Sequence, residues 1–84
     1  MHQGEVISLK RAVHHVGRSP DTVRRWCRIH GIARQSSPTA PLEISIVGLT
    51  MVQHGDLDAL ERLREGRRDL PEVRRYLEHL GLPT

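Results

Sequence analysis

Residues 17–31, GRSPDTVRRWCRIHG, hold four arginines, the only tryptophan and the only cysteine of an 84-residue chain. Three chemistries use these residue types. Cys27 and His30, with His14 and His15 upstream, are ligand types that zinc accepts. A thiol beside arginines can be activated as a nucleophile. Arginines grip phosphates and the edges of guanine.

Spacing separates the three. There is no second cysteine to complete a zinc-binding set, and adjacent histidines on a helix point about 100° apart. A nucleophilic Cys27 needs a positioned base and a substrate cleft, and a chain this short leaves little room for one. The sequence therefore predicts no metal, no cofactor, no small-molecule substrate and no catalysis. Trp26 could stack on a base, but its helical phase beside Val23 favours packing in the core.

The elements that hold these residues follow from caps and periodicity. Ser8 is the expected N-cap of a first helix, in which Leu9, Ala12, Val13 and Val16 form one apolar face and Lys10, Arg11, His14 and His15 the other. Gly17 ends it. Ser19 caps the second helix, Pro20 takes its first position and Gly31 stops it. On this helix Val23, Trp26, Cys27 and His30 share one side, and Asp21, Arg24, Arg25 and Arg28 share the other. Ile32–Arg34 and the alternating LEISI, residues 42–46, read as two strands of a hairpin around the turn-rich loop QSSPTAP. Leu42, Ile44 and Ile46 would share one strand face, unless Ser45 instead caps a helix. IVGLTMVQ is apolar all round, so as a helix it is buried or meets a partner.

Gly55 and Asp56 are the expected stop and cap before a helix with Leu57, Leu60 and Leu63 inward. Asp69 and Glu72 have the spacing of a capping box for the last helix, whose stripe is Val73, Tyr76, Leu77 and Leu80. That helix is a candidate for closing the core or for self-association. Residues 1–5 and 82–84 read as free ends.

The composition predicts one domain, mainly helical with a small β-hairpin. Its parts are residues 8–31, 32–46 and 46–80. With no phenylalanine, the core must be built from Leu, Val and Ile. The single cysteine, the short apolar runs and the absence of a signal-like leader predict a cytoplasmic protein with no membrane contact. The net charge of +3 is unevenly spread: residues 9–34 carry seven cations against one acid, and residues 56–80 carry six arginines against seven acids. Such asymmetry points to a polyanion on the first half.

Two short helices joined at Gly17, with a cationic outer face on the second, resemble a helix-turn-helix over residues 9–28. Arg18 departs from that pattern, since an apolar residue usually follows the turn glycine. Adding the loop and ISIVGL, residues 6–55 resemble the DNA-binding part of the MerR/excisionase group of winged helix-turn-helix proteins. The resemblance implies duplex DNA as partner, with Arg18, Ser19, Asp21, Thr22, Arg24, Arg25 and Arg28 on the recognition helix and its approach, and Arg34 and Gln35 on the wing. Ser19 and the amides after it would hold a phosphate. Arginine can take guanine O6 and N7 with two hydrogen bonds, and Asp21 can accept from cytosine or orient Arg25. Small free-standing members of that group are excisionases, recombination directionality factors of mobile elements that self-associate on DNA, bend it and work beside an integrase. The alternatives are a small transcriptional regulator and an adaptor whose basic helix docks an acidic protein.

Overall fold

A computed structural model describes residues 4–83. Strand β1 (Val6–Ile7) leads into helix α1 (Leu9–Val16) and helix α2 (Pro20–His30). Strands β2 (Ala33–Arg34) and β3 (Glu43–Ser45) follow, then helices α3 (Ile46–Gln53), α4 (Leu57–Arg64) and α5 (Pro71–His79).

The first two helices start and stop where their caps dictate. The Ser8 hydroxyl oxygen accepts the Arg11 amide at 3.2 Å, and the Ser19 hydroxyl oxygen accepts the Thr22 amide at 3.2 Å. Gly17 closes α1 at φ 67°, a left-handed conformation that side chains with a Cβ resist.

The expected hairpin is part of a three-stranded antiparallel sheet in the order β1-β3-β2. Ile7 pairs with Ile44 on one edge, and Ala33 pairs with Ile44 on the other. The returning strand ends at Ser45, not Ile46, because the Ser45 hydroxyl oxygen accepts the Gly48 amide at 3.1 Å and starts α3. Ile46 is thus a helical residue and does not share a strand face with Leu42.

Helix α3 is the centre of the core. Val47 through Val52 are all buried, so its all-round apolar character reflects neighbours on every side. A methyl at Gly48 would lie 2.9 Å from Ile32 Cγ2, so glycine here permits β2 and its approach to pack against α3. Two polar bonds tie α1 to the same helix. Gln53 Nε2 donates to the Val16 carbonyl at 3.2 Å. His15 Nε2 lies 3.0 Å from Thr50 Oγ1, whose own proton goes to the Ile46 carbonyl at 2.7 Å. Thr50 must therefore accept from His15, which carries a proton on Nε2. His15, although exposed, is not a free member of the outer face of α1.

Several sequence expectations for the second half are corrected. Leu57 is 51% exposed, while Ala59 and Leu60 are buried. Steps of three drift about 60° round a helix, so the inward face centres on Ala59, Leu60 and Leu63. Asp69 does not cap α5. The helix begins with Pro71, Leu70 stands at the cap without a side-chain bond, and the Asp69 carboxylate takes Arg67 at 3.4 Å. Helix α5 closes the core with Val73, Tyr76 and Leu77.

The ends are not all free. Glu5 is buried, its carbonyl accepts the Ile46 amide at 2.9 Å, and its carboxylate binds Arg68. Leu82 packs on the core and donates its amide to Leu77 at 2.8 Å. Residues 1–3 and 84 lie outside the described part. Among the described residues no helix is long and apolar enough to cross a membrane.

Candidate nucleic-acid interface

Helix α2 divides by phase. Val23 and Cys27 are buried, and Trp26 packs partly buried against the core. Arg24, Arg25 and Arg28 are exposed, as is Asp21. Cys27 is 8% exposed, and burial pushes its thiol pKa up, away from the reactive thiolate. Among the described residues no three His, Cys, Asp or Glu side chains converge as metal ligands would.

Asp21 does not orient Arg25. It lies 3.6 Å from Arg24 Nη1, three residues on rather than four. Both offsets are neighbours on a helix surface, and the shorter one is used. Arg25 is left without a carboxylate.

The first turn of α2 offers less to an anion than the sequence implies. Pro20 has no amide proton, and the Thr22 amide is taken by Ser19. Only the Asp21 amide in that turn lacks a partner among the described residues. The Ser19 hydroxyl also donates to Thr22 Oγ1 at 3.0 Å, so the two hydroxyls are tied together. Arg18 is exposed between them and the turn glycine.

The β2–β3 hairpin stands beside α2. Arg24, Cys27 and Arg28 share a surface groove with Ala33, Arg34, Gln35 and Leu42. An adjoining groove joins Arg24 and Gln35 to Ser8, Leu9 and Lys10. The fold thus brings Lys10, Arg24, Arg28 and Arg34 onto one face. Arg18, Ser19, Asp21, Thr22 and Arg25 line neither groove. Lys10 is the residue that sequence reasoning left out. Its signal was present, as a cation on the polar side of α1, but its nearness to Arg24 depends on how the two helices pack.

The hairpin residues are partly committed elsewhere. Arg34 faces Glu43 across the ladder, with Nη2 3.2 Å from Oε2. Gln35 Nε2 donates to the carbonyls of Pro38 and Ala40, bracing the loop.

Ion pairing sorts the whole chain. Arg62, Arg64, Arg67, Arg74 and Arg75 each have a carboxylate within 3.8 Å, and Arg68 has Glu5. Lys10, Arg11, Arg18, Arg25 and Arg28 have none within 4.0 Å among the described residues. Among the described residues, every lysine or arginine without a carboxylate therefore lies on α1, the turn or α2.

No protein-family model, curated protein or solved structure matches this chain.

Proposed function

We propose that the protein binds duplex DNA, with α1 and α2 acting as a helix-turn-helix and the β2–β3 hairpin as its wing. The observation that carries this reading is that, among the described residues, the unpaired lysine and arginines are confined to α1, the turn and α2. A charged face built for solubility interleaves its signs, as the second half does. Five uncompensated cations on adjoining elements favour a polyanion, whose condensed counterions are released on binding. The N-terminal part of α2 would enter the major groove, and outward Arg24, Arg25 and Arg28 would reach base edges. Arg34 would contact a phosphate by exchanging Glu43 for it.

Titration with duplex DNA over a salt series tests the reading. The log–log slope should be about −0.9 per neutralised phosphate, or about −4 to −6 overall. A flat slope would instead support docking of a protein through the basic helix.

Within DNA binding, the order of helices, hairpin and following helix favours the excisionase role through its resemblance to that group. Footprinting separates this from a regulator. An excisionase should fill tandem sites about 10–10.5 bp apart and bend the DNA, whereas a dimeric regulator should protect a palindrome.

A further inference from the structure

We infer that the DNA taken by this face is read as G·C pairs, with two guanines about two base pairs apart contacted by Arg24 and Arg28. The inference rests on the proposed reading of α2 and extends it from duplex DNA to a class of sequence.

The major groove distinguishes bases by hydrogen-bond pattern. Guanine shows two acceptors, cytosine a donor, and adenine an acceptor beside a donor. Adenine is read by an asparagine or glutamine amide that donates and accepts together. The chain has no asparagine and three glutamines. Of the two within the described residues, Gln53 donates to Val16 and lies on α3, and Gln35 donates into its own loop. Neither lies on α2, so α2 has no amide with which to read adenine. The exposed polar side chains of α2 are Asp21 in its first turn, Arg24 and Arg25 in its middle and Arg28 in its last turn, and their base partners are cytosine for the carboxylate and guanine for the arginines. Ile29, 62% exposed, follows them on α2. It has neither donor nor acceptor, so it adds at most a methyl contact with thymine.

Arg24 and Arg28 line the same groove beside the hairpin. They are one helical turn apart, about 6 Å along the axis, and successive base pairs stack about 3.4 Å apart. One turn therefore covers about two steps. Asp21 lies 3.6 Å from Arg24 Nη1 alone, so the other guanidinium nitrogens face no carboxylate among the described residues. Arg28 has no carboxylate to give up before it binds.

The test is selection by the full chain from a random duplex library, followed by replacement of chosen guanines with 7-deazaguanine, which lacks the N7 acceptor. Two guanines should be enriched, one losing its enrichment with Arg24→Ala and the other with Arg28→Ala. Deazaguanine at either position should weaken binding about ten-fold. Arg28→Gln, whose amide can donate to and accept from adenine, should move the preference at its position from guanine to adenine. An A·T-rich selected site, or full tolerance of deazaguanine, overturns the inference. Salt-dependent binding without base preference also overturns it while leaving DNA binding intact. Failure to bind any duplex at low salt overturns both.

Discussion

At the scale of single residues, Asp56 does the most joining. One carboxylate oxygen caps α4 by accepting the Ala59 amide at 3.1 Å, and the other accepts the Tyr76 hydroxyl and Arg75, each at 2.8 Å. The Tyr76 hydrogen bond is the largest cause holding the Asp56 carboxyl below the ordinary aspartate range; burial opposes it, and the Ala59 and Arg75 bonds assist. Asp56→Ala should cost about 2 kcal/mol, combining a lost cap with lost partners for Tyr76 and Arg75. The pH dependence has a definite sign. A depressed folded-state pKa means the unfolded chain takes up the proton first, so the stabilisation is complete above the ordinary aspartate pKa and is lost as pH falls through the lower folded value. Urea midpoints of the native protein and Asp56→Asn should differ by a constant amount from pH 7 to 5. The difference should shrink only below about pH 4.

At the scale of elements, Gly48 offers a test in which two effects compete. Alanine gains about 1 kcal/mol of helix propensity over glycine. Against this, its methyl would meet buried, β-branched Ile32 at 2.9 Å, and overpacking costs about 1–3 kcal/mol. Packing should win: Gly48→Ala is expected to lower the melting temperature by about 5 °C. The same scale explains what was legible in the sequence. Helices α1 and α2, and with them the sorting of Arg24, Arg25 and Arg28 from Val23 and Cys27, follow from caps within three residues of each helix start. Strand β1 has two residues and no pattern of its own; β3, nearly forty residues later, makes it a strand. Asp69 misled because Pro71 outranks a capping carboxylate in setting where a helix starts. The proximity of Lys10 to Arg24 was hidden for another reason: helical phase gives a side chain's direction on its own helix but not which helix it faces.

At the scale of the whole molecule, the chain separates a pairing half from a presenting half. Arginines after residue 56 are paired, mostly with a carboxylate two to four residues away and in the case of Arg75 with Asp56 at the start of α4, and those before residue 29 are mostly left open. The exception that crosses between the halves is Arg68 with Glu5. The Glu5 side chain is 9% exposed, so removing its partner strands a desolvated carboxylate. Arg68→Ala should therefore destabilise the fold by about 2–4 kcal/mol. Arg67→Ala, which loses only an exposed partner, should leave the stability nearly unchanged. Chemical denaturation of the two variants side by side reads the difference.

The Glu5–Arg68 contact also closes a long loop. Its partners are separated by 63 positions, and closing a loop of that length from a disordered chain costs about 1.6 kcal/mol more than closing one of ten residues. The contact between α1 and α2, by comparison, joins neighbours in sequence and closes a short loop. The segment Glu5–Ile7 is synthesised before every other described element, yet it has nothing to bind until β3 and Arg68 exist. In the folded chain it is a strap, held at one end by the β3 ladder and at the other by Arg68.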